Sequence, residues 1–134
     1  MSLILDTSFL IAIYSERDEH HSTARRLLPK LQSKEYGQTY ISDYIFDEFV
    51  TFLRARSYPE STLQAIGDRL KAEDSSHFLH INECIFSKSW ELFKKYPLSF
   101  TDCTTIILTE EFGIHHVASF DAGFDRIPHL KRIC

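Results

Sequence analysis

Short apolar runs alternate along this chain with segments of helical spacing, and that alternation restricts the fold more than any other feature. Leu3-Ile4-Leu5 reads as a buried strand ending at Asp6, and a short helix follows over 9–13. Residues 19–31 put Ala24, Leu27, Leu28 and Leu31 on one side and Arg25, Arg26 and Lys30 on the other, with Pro29 set to kink or end that helix. Tyr40-Ile41-Ser42 reads as a second strand, after which Asp43 is expected to cap a helix running to about Arg56. Pro59 opens an amphipathic helix over 59–73 that carries Leu63, Ile66 and Leu70. Residues 77–81 read as a third strand, and 83–96 as a helix stopped by Pro97. Ser99 or Thr101 caps a further helix, with Cys103, Ile106, Ile107 and Phe112 expected on its core side and Gly113 as a left-handed stop. Residues 116–120 and 130–133 read as the last two strands. The expectation is an α/β fold: a central, mainly parallel sheet of four or five strands flanked by helices, in one domain over 1–134.

Composition narrows the function classes. A chain of 134 residues buries enough surface to need no disulfide or metal staple. Its 43% hydrophobic and 25% charged content excludes disordered and collagen-like classes. The run Phe9-Leu10-Ile11-Ala12-Ile13 is far too short for a bilayer span, and no basic-then-apolar leader is seen, so no membrane partner is expected. Cys84, Cys103 and Cys134 are odd in number and scattered, which argues against a disulfide framework or a cysteine zinc site and fits a reducing cytoplasm. A net charge of −4 removes any whole-molecule attraction to nucleic acid. Clustered carboxylates that hold cations would also give that sign.

Four acids fall where an α/β sheet gathers its chemistry, at the carboxyl ends of strands. Asp6 ends the first strand, Glu48 lies in the helix after the second, Asp102 in the first turn of the late helix, and Asp121 at the end of the fourth strand. Each has a plainer reading. Asp6 would serve as a helix cap. Glu48, at the margin of the side shared by Ile45, Phe49, Phe52 and Leu53, would serve as a solvated acid. Asp102 would complete a capping box with Ser99. Asp121 would begin the Asp-Ala-Gly turn. Together they suggest one ligand set. Carboxylates sharing a cleft repel unless a cation neutralises them, and all-oxygen donors select hard ions such as Mg²⁺ or Mn²⁺. Such ions suit phosphodiester hydrolysis.

In Leu5-Asp6-Thr7-Ser8-Phe9-Leu10, Ile41-Ser42-Asp43-Tyr44-Ile45-Phe46-Asp47-Glu48-Phe49, Leu98-Ser99-Phe100-Thr101-Asp102-Cys103 and Ala118-Ser119-Phe120-Asp121-Ala122-Gly123-Phe124-Asp125 the chain resembles PIN domains. Within them it resembles the VapC-type toxins of toxin–antitoxin pairs, over nearly its whole length. The resemblance implies a Mg²⁺- or Mn²⁺-dependent endoribonuclease in which Asp6, Glu48, Asp102 and Asp121 hold the metal and its water for in-line attack on an RNA phosphorus. Thr7 and Ser8 match hydroxyl positions after the first acid, with Ser8 the expected helper. Ser119 stands where the family more often has threonine, and Asp125 is an alternative to Asp121. Arg17, Arg54, Arg56, Lys94, Lys95 and Arg126 are candidates to grip RNA, each with a solvated surface charge as its plainer reading. The resemblance also implies a homodimer, packing through the helices around 59–73, and a partner antitoxin that brings an arginine to the carboxylates.

Other classes fit less well. A receiver-like signalling domain needs an acceptor aspartate after the third strand, where Asn82 stands. A silent PIN-like binding module would have a broken acid set, and a DNA-directed nuclease would share the same residues. His20-His21 and His115-His116 lack a third ligand at zinc-like spacing and read as surface or strand-start histidines.

Overall fold

The computed structural model describes residues 1–72 and 77–134. Five strands form one sheet: β1 (Ser2–Leu5), β2 (Gln38–Ser42), β3 (His77–Leu79), β4 (His116–Ala118) and β5 (Lys131–Ile133). Six helices connect them: α1 (Thr7–Tyr14), α2 (His21–Gln32), α3 (Asp43–Ala55), α4 (Glu60–Lys71), α5 (Glu83–Lys95) and α6 (Phe100–Phe112). The strand order is β3-β2-β1-β4-β5, and every pairing is parallel. The expected α/β architecture is therefore present, with no antiparallel edge among the described residues. No helix among the described residues is long and apolar enough to cross a membrane.

Both faces of the sheet are covered, which is why β1 is a continuous apolar run rather than an alternating one. Leu3 and Leu5 point into a core shared with Phe9, Leu10, Ile45, Phe49 and Leu53. Ile4 points the other way, into a core with Cys103, Ile106, Leu108 and Val117. The helices α1–α4 thus pack on one face and α5–α6 on the other.

Several element ends differ from the sequence expectation for identifiable reasons. Ser42, not Asp43, caps α3: its Oγ accepts from the Ile45 N–H at 3.1 Å. The Asp43 carboxylate instead accepts the Ile81 N–H at 3.2 Å, so β3 stops at Leu79 and not at residue 81. β4 stops at Ala118, since the Phe120 N–H is taken by Ser8 Oγ at 3.0 Å. Pro29 sits inside α2 without ending it. Phe112 is 51% exposed rather than on the core side of α6. Ser99 is the cap of α6, and Gly113 ends it at φ 64°, the left-handed conformation that suits glycine. The helix expected over 59–73 is α4, and Glu73 lies outside the described residues. Cys84, Cys103 and Cys134 are all free thiols.

Candidate active site

The strand order reverses between β1 and β4, the place where parallel sheets open a crevice beyond their carboxyl ends. Asp6 follows β1 there, and its N–H bonds the Ala118 carbonyl of β4 at 3.0 Å. Ser119 and Asp121 follow β4, Glu48 comes one turn into α3 after β2, and Asp102 stands in the first turn of α6.

Asp6 is only 4% exposed. It occupies the cap position of α1, but its side chain makes no capping bond. Asp6 Oδ2 accepts from Ser119 Oγ at 2.7 Å and from Ser8 Oγ at 2.9 Å. Each hydroxyl has a single proton, and both are given to Asp6. The 3.2 Å approach of the two serine oxygens is therefore a close contact, not a third bond. Their lone pairs are used as well: Ser119 Oγ accepts the Asp121 N–H at 2.9 Å, and Ser8 Oγ accepts the Phe120 N–H. Burial raises the Asp6 pKa, the two serines and the Thr7 N–H oppose that, and the Asp121 charge adds to it.

Asp102 is pushed up to about 7, first by burial, then by Asp6 and Asp121, with Glu48 contributing and Ser99 opposing. Asp6, Asp121 and Glu48 are thus all within electrostatic reach of Asp102. Asp102 also keeps its helix-start role, its N–H bonding Ser99 Oγ at 3.0 Å. Glu48 is exposed and held by Thr7, whose Oγ1 donates to Oε1 at 2.8 Å. Asp121 is exposed, and its Oδ1 accepts the Gly123 N–H at 2.8 Å, so the plain turn reading also holds for it. A Cβ at Gly123 would lie 2.7 Å from Leu98 Cδ2 and 3.1 Å from Asp121 Oδ1, so a larger residue would have to displace the Leu98 side chain beneath this turn. The second oxygens of Glu48 and Asp121 have no hydrogen-bond partner among the described residues.

Among the described residues, no three His, Cys, Asp or Glu side chains are drawn close enough to hold an ion as they stand. The donor set nevertheless fits a hard divalent cation: it is all carboxylate, it is mutually repulsive, and two of its members keep an unused oxygen.

The other candidates separate. Asp125 is bound to Arg132 through two bonds of 2.9 Å, which hold its carboxyl below the usual range. Arg54 is engaged with Glu60 and Lys94 with Glu91, both at 2.9 Å. Arg17, Arg56, Lys95 and Arg126 have no ion pair among the described residues. Two further residues neighbour the site, of which Arg132 carries no sequence signal. Arg132 reaches the Ser119 carbonyl at 3.4 Å from β5, and His20 stacks on Phe120 with centroids 4.3 Å apart. His116 is the strand-start histidine expected.

Known proteins resemble the chain over most of its length. The PIN-domain family profile matches residues 3–130. A VapC ribonuclease of Archaeoglobus fulgidus is 21% identical over 98% of this chain and 84% of its own length. The 23S rRNA-specific endonuclease VapC20 of Mycobacterium tuberculosis is 25% identical over 91% of each chain. The crystal structure of that sarcin–ricin-loop-cleaving toxin superposes with a TM-score of 0.81 over 94% of this chain and 95% of that one, at 21% identity. VapBC2 from Rickettsia felis, bound to a DNA fragment from its promoter, superposes at 0.72 over 99% and 98%, at 14% identity. With its sheet order, its acids at the sheet's switch point and a family match over almost its whole length, the chain belongs to the PIN-domain family.

Proposed function

We propose that the chain is a Mg²⁺- or Mn²⁺-dependent endoribonuclease and the toxin of a toxin–antitoxin pair. The observation that carries this reading is the convergence of Asp6, Glu48, Asp102 and Asp121, from four separate elements, on the crevice between β1 and β4. The VapC relatives support the choice of RNA as substrate.

Asp6, Glu48, Asp102 and Asp121 would hold the cation. When bound, the ion supplies Lewis-acid stabilisation of the phosphate charge and activates water. The protein's own residues prepare that site. Ser8 and Ser119 favour the ionised form of buried Asp6, against the effect of burial, by donating to one of its oxygens. Thr7 fixes the reach of Glu48. The Ser119 hydroxyl also ties the start of the Asp121 turn to Asp6, so two ligand positions move as one body. Asp102 must give up its proton as the site loads, which couples loading to pH.

The partners proposed are an RNA substrate, a cognate antitoxin and a second copy of this chain. The VapBC2 assembly supports the antitoxin. A cytoplasmic location is part of the same reading.

The deciding experiment is cleavage of mixed RNA by purified protein with Mg²⁺, with Mn²⁺ and with EDTA, beside an Asp6→Asn variant of unchanged circular dichroism. Cation-dependent cutting that the variant loses is expected. Absence of cutting in every condition would overturn the reading in favour of a non-catalytic RNA- or protein-binding module.

A further inference from the structure

Two of the cations without an ion pair share one groove. Arg17, just after α1, and Arg56, at the end of α3, line a cavity of about 520 Å³ together with Phe52, Ser15, Ser57 and Glu16. The Arg56 guanidinium lies over the Phe52 ring, 5.0 Å from its centroid. In a chain of net charge −4, two arginines against one glutamate make a local exception.

This groove neighbours a cavity that Glu48 lines. That second cavity, of about 470 Å³, is lined by Thr7, Asp47, Glu48, Thr51 and Phe52 among others, and it shares Phe52 with the first. Both follow the seam between α1 and α3. Thr7 holds Glu48 at one end of the seam, and the Tyr58 hydroxyl reaches the Tyr14 carbonyl at 3.4 Å at the other. Arg56 comes eight residues after Glu48, about 12 Å along a helix that rises 1.5 Å per residue. At about 3.4 Å of rise per stacked nucleotide, that separation spans roughly three to four nucleotides.

The chemistry favours phosphate. A guanidinium offers a planar fork of donors matched to phosphate oxygens, and an aromatic floor orders it before the ligand arrives. We propose that Arg17 and Arg56 form a phosphate-binding subsite for the RNA backbone, on a track that leaves the carboxylates along the α1–α3 seam. The subsite rests on the ribonuclease reading above. It assigns RNA contact to two of the six cations singled out in the sequence and separates them from Arg54 and Lys94, which are already paired.

The test is binding of a fluorescent single-stranded RNA to the Asp6→Asn protein over a salt series, alone and with Arg17→Ala, Arg56→Ala or Arg56→Lys added. Each alanine variant should weaken binding about tenfold, the loss of one charge-assisted contact. Each should also lower the salt slope by about 0.7, the value for one phosphate contact on a single strand. Arg56→Lys should keep the slope and lose part of the affinity. Lys30→Ala, on the exposed side of α2, should change neither. Unchanged affinity and slope in both alanine variants would overturn the subsite while leaving the nuclease intact. Arginine-dependent RNA binding with no cleavage by the unmodified protein would overturn the nuclease reading alone. Equal binding of a polyglutamate peptide, lost in the same variants, would overturn the assignment to RNA and identify a site for an acidic protein segment.

Discussion

Two serines spend their only protons on buried Asp6 and so oppose the rise in its pKa that burial causes. Ser119→Ala removes one of those donors, so the Asp6 pKa should rise further. On the nuclease reading, activity should fall about 10–100-fold, the usual cost of losing a group that supports a ligand. The acid limb of the pH–rate profile should move to higher pH, and Ser119→Thr should restore both. Thr7→Val tests the hold on Glu48. A drop of about tenfold in kcat/KM with an unchanged melting temperature is expected, since the bond lies at an exposed edge. Asp102 sets a pH dependence of stability. Its carboxyl titrates near the ordinary value of 3.8 when unfolded and at about 7 when folded. Between those values the folded state binds more protons, so stability is greatest at low pH and falls as pH rises through about 7. Thermal melts of cation-free protein at pH 5, 6, 7 and 8 should show that fall, and Asp102→Asn should flatten it.

Helix α3 carries three jobs along its length, and each end explains one of them. Its start is fixed by Ser42, which frees Asp43 to tie down the chain after β3. Its first turns bring Glu48 to Thr7, and its end brings Arg56 to the groove. The helix stops at a left-handed residue, Ser57 at φ 59°. The Tyr58 N–H bonds the Leu53 carbonyl and the Ser57 N–H bonds the Arg54 carbonyl, both near 3 Å, which is the closing pattern of a helix end. Serine adopts that conformation less readily than glycine. Ser57→Gly should therefore raise stability by about 0.5–1 kcal/mol in urea unfolding. These ends also mark the limit of reading element by element. The helices and strands follow from spacing and from residues such as Ser99, Pro59 and Gly113 acting within a few positions. Asp43 was expected to cap because it follows a strand, yet its partner Ile81 is 38 residues away. No local pattern reports such a partner.

On the proposed reading, the repulsion that Asp6, Asp121 and Glu48 exert on Asp102 is one that a bound cation would relieve. A bound ion should stabilise the folded state by RT ln(1 + [L]/Kd), about 2.7 kcal/mol at a hundredfold excess over Kd. The melting temperature should rise with Mn²⁺ concentration, and Asp6→Asn should remove most of the rise. Light scattering without a partner should give a dimer mass rather than the 15.7 kDa of one chain, in keeping with the proposed second copy.

Much of this protein is written in short stretches of sequence. The alternation of apolar runs with helical segments, the positions of Asp6, Asp102 and Asp121 next to strand and helix ends, and the hydroxyls at Thr7, Ser8 and Ser119 are all visible there. Backbone periodicity and capping act over a few residues, so a linear reading captures them. Packing alone settles what meets across the fold. It turns Ser8 and Ser119, 111 residues apart, onto one carboxylate, gives Asp125 to Arg132, and leaves Phe112 in solvent. It also sets Arg17 and Arg56 on one groove while pairing Arg54 with Glu60. Charges and hydrogen bonds act through distance in space, and the chain acquires those distances only when its helices close over both faces of the sheet.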